Sequence, residues 1–256
     1  MKWPSCLTLI RHDVSAFNNL RAKKARSPLY QQFMTSWSAD PASEETRALA
    51  VQVQSDFALG VGDANTPLAD DTGALAIETG RELPRYIALP DVIFTSPYVR
   101  TQETLRFLKI GWPSLASVPT IIDDRVREQE HGIALLYNDW RVFHALHPDQ
   151  RKLFELEGPY WYRYPQGESA ADTRDRNRQF LSMLIREFRR KKVLVVTHHL
   201  HILAAIANLE RLSPERFVEM DRDEKPRNCG VTIFKGDSTL GKNGRLVRAA
   251  YNLQLY

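Results

Sequence analysis

The sequence predicts an α/β fold with a mostly parallel central sheet, and three short apolar runs carry that prediction. The runs lie within residues 6–12, 91–97 and 193–199, and each one ends abruptly in polar side chains. Runs rich in Val, Ile and Leu are typical of strands that are buried on both faces of a parallel sheet. Because such sheets open a crevice at the carboxyl ends of their strands, we expect the polar residues that follow the runs to lie side by side.

The first connection, residues 20–65, predicts a helical insertion. Its apolar residues at helical spacing indicate two amphipathic helices that cover the crevice. A break is expected at residues 41–43, and Glu44 and Glu45 suit the start of the second helix.

The core resumes with a helix from about residue 71 to residue 89 and continues with the strand around Ile93. The next helix carries Arg100 close to its start, and the strand at residues 120–123 leads to Glu128. A second insertion, residues 132–167, is dense in aromatic side chains. We expect it to roof the crevice and to govern substrate selectivity, although a lid that simply packs on itself is an equally good interpretation.

The last third of the chain completes the predicted sheet. Residues 169–172 have the form of a helix cap with an acidic third position, followed by a long helix to about residue 190. Residues 230–235 and 246–252 predict two late strands, paired at a sheet edge through a Gly-rich turn.

The polar strand ends predict a pocket for a dianion. Arg11 and His12 follow the first run, His198 follows the run at residues 193–197, and Arg100 lies near the same rim. A single strand that ends in Arg-His is usually a solvated strand end. Three strand ends with complementary groups indicate a phosphate-sized site, because arginine forks bind such anions through paired hydrogen bonds.

An ordered series of motifs resembles the histidine phosphatase superfamily. The matching segments, in chain order, are Arg11-His12 with Ser15 and Asn18, Thr66-Pro67-Leu68 with Gly73, Ser96-Pro97-Tyr98-Val99-Arg100-Thr101, Arg127-Glu128, Pro165-Gln166-Gly167-Glu168-Ser169 and Thr197-His198. The resemblance implies a three-layer, phosphoglycerate mutase-like sandwich that forms one domain over residues 1–256. One Arg-His pair would be weak support, whereas the shared order is specific.

The resemblance also implies a role for each site residue. His12 would be the nucleophile that forms a phosphohistidine, and Glu128 the general acid and base. Arg11, Arg100 and His198 would hold the phosphoryl oxygens. A carboxylate beside a phosphate has its pKa raised by the like charge, which suits Glu128 to the acid role.

Other assignments stay open in the sequence. Ser15, Asn18 and His199 are expected to bind phosphate as well. Ser15 and Asn18 can equally cap the following helix, and Glu128 can belong to a solvated acidic loop.

Two residues depart from the family's usual glycines, namely Asp13 after the nucleophile and His199 after the second histidine. If these positions require positive φ, Asp and His are among the side chains that tolerate it. A carboxylate near a phosphate pocket repels the substrate, so we expect Asp13 to point away and to contact a basic group.

Metal, cofactor and macromolecular partners are not predicted. His198, His199 and His201 would diverge on a strand-to-helix turn, and Cys6 and Cys229 show no zinc spacing. A net charge of +4 from 35 basic and 31 acidic residues is too mild to indicate a nucleic-acid binder. Two cysteines, no leader and no long apolar run predict a cytoplasmic protein that does not bind a membrane.

The sequence therefore predicts a metal-independent phosphomonoesterase that acts on a small phosphorylated molecule. A phosphoglycerate mutase-type phosphotransferase is the first alternative, and a noncatalytic binding protein that keeps the fold is the second. A homodimer is left open.

Overall fold

The computed structural model of the protein describes residues 1–58, 60–69 and 73–256. Its strands are β1 (Cys6–Arg11), β2 (Val92–Thr95), β3 (Thr120–Ile122), β4 (Lys192–Thr197), β5 (Val231–Asp237) and β6 (Arg245–Leu253). Its α-helices are α1 (Ala16–Ala25), α2 (Pro28–Ala39), α3 (Glu44–Asp56), α4 (Ala74–Glu82), α5 (Val99–Gly111), α6 (Trp140–Leu146), α7 (Pro148–Trp161, interrupted at Gly158), α8 (Ala170–Glu187), α9 (His199–Glu210) and α10 (Pro214–Asp223).

The six strands form one mixed, mostly parallel sheet in the order β3-β2-β4-β1-β5-β6. β1, β2, β3 and β4 are mutually parallel, whereas β5 runs antiparallel to both β1 and β6. The predicted pairing of the two late strands at a sheet edge is therefore confirmed. The central position of β1 and β4 places the residues that follow them in the middle of one rim.

Helices cover both faces of this sheet, which confirms the three-layer α/β architecture. Alternate residues of β4 point to opposite faces, so Val193 and Val195 pack with α8, α9 and α10. Leu194 and Val196 pack on the other face with α4 and α5. Burial on both faces is the reason that these strands are apolar without a polar alternation.

Most element boundaries follow the local signals. α8 begins after Ser169, whose hydroxyl accepts from the backbone of Asp172 in a reciprocal capping box. The helix expected from residue 71 to residue 89 ends at Glu82 instead, because Pro84 has no backbone N–H to continue it. The predicted start of that helix at residues 71 and 72 lies outside the described residues.

The two insertions pack against each other rather than separately over the core. Phe33, Ala50 and Val53 of the first insertion share an apolar cluster with Val142 and Ala145 of the second. The first insertion holds three α-helices where two were expected, because α1 extends the expected helical region back to the loop after β1.

A buried ion pair links the insertions as well. Nζ of Lys24 lies 2.9 Å from the carboxylate of Asp139, which also accepts from the hydroxyl of Tyr30 at 2.6 Å. The two insertions therefore form one continuous helical unit from α1 to α6, which we call the lid. Within the described ranges, no helix has the length and apolar character needed to cross a bilayer.

Candidate active site

The parallel register of β1 and β4 brings the two histidine motifs together. Arg11 pairs with Thr197 in that register, so His12 and His198 follow at the same rim. Their ring centroids are 5.2 Å apart in an edge-on arrangement, and both side chains are buried. The two motifs are far apart in the sequence, and the pairing of β1 with β4 brings them together, as the sequence predicts.

The hydrogen bond of His12 fixes its tautomer. Nδ1 lies 2.6 Å from the carbonyl oxygen of Asp13, and a carbonyl only accepts, so Nδ1 carries the hydrogen. Burial, together with the charges of Arg100 and Arg11, holds the pKa of His12 well below its ordinary value. Nε2 therefore carries a lone pair at neutral pH, which is the state that a nucleophile needs.

His198 is also held neutral and has one nitrogen free. Its Nε2 lies 2.9 Å from the hydroxyl of Ser96, at the end of β2, and its Nδ1 is buried without a partner among the described residues. Burial and the charge of Arg100 hold the pKa of His198 well below its ordinary value. If the hydroxyl of Ser96 donates to Nε2, then Nδ1 carries a hydrogen that is available to an anion.

Arg11 keeps free donors beside the histidines. One guanidinium nitrogen donates to the carbonyl oxygen of Pro226 at 2.7 Å, while Nε is buried without a partner in the described part of the chain. Burial lowers the pKa of Arg11 to about 10, so the side chain stays charged at neutral pH. An unpartnered buried donor on a cation is suited to an anionic ligand.

Arg100 lies in the first turn of α5 and already holds an anion that the protein supplies. Its Nη1 donates to the carboxylate of Asp63 at 2.8 Å and to the carbonyl oxygen of the same residue at 2.6 Å. Nη2 lies 3.4 Å from the second carboxylate oxygen, so the guanidinium contacts both carboxylate oxygens of Asp63. The ring of Tyr98 covers the guanidinium at 4.8 Å. A carboxylate in this fork occupies donors that a phosphate would use.

Glu128 is buried on a loop that several side chains hold in place. Arg176 of α8 donates to the carbonyl oxygens of Arg125, Arg127 and Glu128 at 2.9–3.0 Å and forms an ion pair with Glu168. The hydroxyl of Thr197, at the end of β4, donates to the carbonyl oxygen of Val126 at 2.6 Å. These contacts fix the backbone on which the Glu128 carboxylate is carried.

The charges around Glu128 reverse the expected direction of its pKa shift. Burial alone would raise this pKa, but the charge and the hydrogen bond of His199, together with the charge of Arg100, outweigh burial and hold it well below its ordinary range. The upward shift expected from the sequence requires a phosphate beside the carboxylate, whereas the nearest charges in the structure are cationic.

His199 lies between two carboxylates rather than over the anion pocket. Nδ1 is 3.1 Å from Oε2 of Glu128, and Nε2 is 3.0 Å from Oδ1 of Asp221 on α10. Neither nitrogen is free for the phosphate contact that the sequence predicts.

Ser15 and Asn18 form the cap that the sequence left as an alternative. The hydroxyl of Ser15 accepts from the backbone of Asn18, and the Asn18 side chain accepts from the backbone of Ser15, which makes a reciprocal capping box for α1. Oδ1 of Asn18 also accepts from the hydroxyl of Ser15 at 3.0 Å and from the amide of Asn228 at 3.2 Å. A phosphate contact of either residue stays a prediction.

Asp13 points away from the anion pocket, but in the described part of the chain its carboxylate contacts no basic side chain. Its carboxylate accepts from the backbone of Val14 at 2.6 Å and from the backbone of Ala76 at 3.2 Å, in the first turns of α4. The expected basic contact is therefore wrong, because the backbone N–H of Val14 and that of Ala76, at the positive end of the α4 dipole, fill that role. Neither Asp13 nor His199 has a positive φ, so the usual glycines are not replaced for backbone reasons.

Family comparison agrees with this geometry. The histidine phosphatase superfamily, branch 1, matches the chain over residues 55–246. The chain belongs to the histidine phosphatase superfamily. The matched residues begin after Arg11 and His12. The evidence that these two residues belong to the site is therefore the position of β1 in the sheet.

Two curated relatives come from Arabidopsis thaliana. Phosphoglycerate mutase-like protein AT74H is 30% identical over 135 residues, which cover 49% of this chain and 46% of that protein. Phosphoglycerate mutase-like protein AT74 is 31% identical over 161 residues, covering 59% of this chain and 46% of that protein. The chain thus spans about half the length of the curated relatives it matches.

Solved structures share the fold at low identity. The alpha-ribazole phosphatase from Shigella flexneri has a TM-score of 0.64 at 17% identity, over 97% of this chain and 96% of that one. The mycobacterial glucosyl-3-phosphoglycerate phosphatase with inorganic phosphate has a TM-score of 0.63 at 17% identity, over 98% of both chains. These similarities describe the histidine phosphatase fold.

Sequence reasoning missed several residues of this histidine phosphatase pocket. They are Asp63, Ser96, Arg176, Asp221 and Asn228. Ser96 stands in the quoted Ser-Pro motif next to a predicted strand end, which is a usable signal. Asn228 donates to the carbonyl oxygens of His12 and Asp13 at 2.9 and 3.1 Å, but nothing in its local sequence marks that contact.

The three neighbouring histidines diverge as expected. His198 contacts Ser96, His199 contacts two carboxylates, and His201 lies 3.1 Å from the amide of Asn177. Over residues 1–58, 60–69 and 73–256, no three His, Cys, Asp or Glu side chains are grouped in a way that could hold a metal ion.

Proposed function

We propose that the protein is a metal-independent phosphomonoester hydrolase that works through a phosphohistidine on His12. The hydrogen bond from Nδ1 of His12 to the carbonyl oxygen of Asp13 carries the proposal, because it leaves the Nε2 lone pair for attack on phosphorus. Membership of the histidine phosphatase superfamily supports the reaction class.

In the first half of the reaction, Nε2 of His12 attacks phosphorus in line with the leaving oxygen. Arg11, Arg100 and His198 stabilise the charge on the three other oxygens, which is the main protein contribution to phosphoryl transfer. Arg100 takes part once the phosphoryl group has displaced Asp63 from its fork. Glu128 protonates the leaving oxygen.

In the second half, water attacks the phosphohistidine. Glu128 accepts the proton that the water loses, and the P–N bond breaks to release inorganic phosphate and the free imidazole. A small phosphorylated molecule is the proposed substrate. The aromatic-rich second insertion, which we expect to roof the crevice, is the proposed source of selectivity.

A mutase-type phosphotransferase is the second candidate, and the names of the Arabidopsis relatives favour it. In a mutase the phosphoryl group on His12 returns to bound substrate before water reaches it. The pocket residues are the same in both reactions, so only product analysis separates the two functions.

The test measures release of inorganic phosphate from p-nitrophenyl phosphate in the presence of a chelator. Wild type should turn over, and His12→Ala should lose at least about a thousandfold in kcat, in the range seen when a nucleophile is removed. A parallel assay with 3-phosphoglycerate and a catalytic amount of 2,3-bisphosphoglycerate detects a mutase. Phosphate transfer without hydrolysis would replace the hydrolase proposal by the mutase, and inactivity of folded wild type in both assays would favour a noncatalytic binding protein.

A further inference from the structure

The position after the second histidine holds an imidazole with a carboxylate on each nitrogen. His199 begins α9 and lies 3.1 Å from Glu128 on one side and 3.0 Å from Asp221 of α10 on the other. The side chains of Glu128 and His199 are 10% and 20% exposed, so solvent screens their contact only weakly. The function proposed above gives a task to Glu128 and none to His199.

The hydrogen bonds of the array formed by Glu128, His199 and Asp221 require one more proton than a neutral imidazole provides. A neutral imidazole has a single N–H, whereas two carboxylates can only accept when both are ionised. Both contacts of His199 are satisfied when the ring is an imidazolium. They are equally satisfied when that extra proton lies on Oε2 of Glu128 and Nδ1 accepts it, since the same two heavy atoms form the hydrogen bond.

We propose that His199 is a positioning residue that stores the proton of the general acid Glu128 and that Asp221 holds the ring in place for this transfer. The inference deepens the hydrolase proposal and rests on it. The two carboxylates outweigh burial and raise the pKa of His199, which agrees with a stored proton.

The proton moves in a closed cycle. When a phosphate dianion binds beside Glu128, the Nδ1–H bond of His199 breaks and an O–H bond forms on Glu128, because the added negative charge favours the neutral carboxyl. Glu128 then gives this proton to the leaving oxygen as His12 takes the phosphoryl group. The attacking water returns a proton to Glu128, and departure of the phosphate product returns it to His199. The net reaction consumes only the ester and water.

Several charged groups share this environment. Besides Glu128 and Asp221, the array interacts with further titratable groups, namely Arg11, His12, Arg100, His131, Tyr164, His198, His201, Lys225 and Tyr251. Lys225 lies 3.5 Å from the carboxylate of Asp221. A pH profile therefore reports the whole array, so the decisive readout is dependence on the leaving group.

The test compares an ester that needs a proton with one that does not. Glycerol 2-phosphate has a basic leaving oxygen, whereas 2,4-dinitrophenyl phosphate releases a stable phenolate. His199→Asn keeps an amide donor near the position of Nδ1 but has no proton to give. We expect it to lose at least about thirtyfold in kcat/KM on glycerol 2-phosphate and less than about threefold on the dinitrophenyl ester.

Two further variants on α10 make the comparison specific. Asp221→Asn should weaken turnover of glycerol 2-phosphate selectively, by about three- to tenfold. Glu219→Gln removes a carboxylate of the same helix that faces an exposed arginine, and it should leave both rates unchanged. Equal losses on the two esters in His199→Asn would overturn the proposal and leave His199 a purely structural residue.

The protonation state can also be observed without turnover. The ¹⁵N NMR signals of the His199 ring in wild type should show two N–H groups at neutral pH, and saturating inorganic phosphate should remove the hydrogen from Nδ1. A ring that is neutral before phosphate is added would contradict the stored proton. Failure of the hydrolase proposal has a different signature, since wild type would then hydrolyse neither ester.

Discussion

One backbone carbonyl decides the tautomer of His12, and one carboxylate takes up the hydrogen-bond donors of Arg100. Asp13 supplies the carbonyl through its main chain while its side chain faces α4. Asp63 supplies the carboxylate from a short turn before the Thr66-Pro67-Leu68 segment. At this scale, the pocket has a histidine preset for its proposed role as nucleophile and an arginine that must exchange Asp63 for phosphate in the proposed mechanism.

Removing the charge of Asp63 should therefore improve anion binding. In Asp63→Asn the guanidinium of Arg100 no longer holds a competing anion, so inorganic phosphate should bind about three- to tenfold more tightly, equivalent to roughly 1 kcal/mol. Competitive inhibition of aryl phosphate hydrolysis by phosphate measures the change. Asp56→Asn, an exposed acidic residue of α3, is the matched control. Unchanged phosphate affinity in Asp63→Asn would show that Asp63 does not compete for Arg100.

At the scale of elements, strands and their ends follow from the local sequence, whereas the side chains that reach the site from other elements do not. β1, β2 and β4 are apolar because both faces are buried, and that property can be read without knowing the fold. Arg176 and Asp221 contact the site from α8 and α10, and their roles depend on how those helices pack. Nothing in a helical pattern says which charged residue will face a loop that is 48 positions away, as Arg176 faces Glu128.

Arg176 should contribute more to stability and to activity than its place on a polar helix suggests. Arg176→Lys cannot reach three carbonyl oxygens and both oxygens of Glu168, so the loop of Glu128 loosens. We expect about 2–4 kcal/mol less stability, somewhat below the roughly 3–5 kcal/mol lost when a buried ion pair loses one partner, because lysine keeps the positive charge. We also expect kcat/KM to fall at least about tenfold because the acid is misplaced. Denaturant unfolding and steady-state kinetics measure both. Arg178→Lys, at an exposed ion pair of the same helix, should change neither. Wild-type activity in Arg176→Lys would contradict this role.

His144 makes the lid sensitive to acid. It is fully buried in α6 among aromatic rings, and both ring nitrogens lack partners within the described residues. Burial lowers its pKa to about 4, below the value of about 6.5 that an unfolded chain would show. Between these values the unfolded state binds a proton that the folded state does not, so stability falls as pH falls, by about 3 kcal/mol near pH 4.

The variant His144→Leu tests this contribution. Its free energy of unfolding should decline less steeply than that of wild type between pH 7 and pH 4, because the buried imidazole is gone. Measurements at pH 8, where the imidazole is neutral in both states, report the packing change alone. Parallel pH profiles of the two proteins would show that His144 does not contribute to acid sensitivity.

The whole molecule consists of a histidine phosphatase core and a lid made of two insertions. The core sets the order of the motifs along the rim, which is the part that the sequence predicts well. The lid is less predictable, because the contact between Phe33, Val53 and Val142 joins segments whose patterns indicate only separate helices. The proposed reaction depends on the core, so the most direct test concerns the proposed bond between His12 and the substrate phosphorus.

That test is to trap the phosphoenzyme. Wild type and His12→Ala are mixed with a ³²P-labelled phosphomonoester in chelator and quenched within the first turnovers, and the label on the protein is followed in acid and in base. A base-stable, acid-labile label on wild type that maps to His12 and is missing from His12→Ala is the predicted result. Hydrolysis by wild type without any such label, or a label that persists in His12→Ala, would contradict the phosphohistidine mechanism.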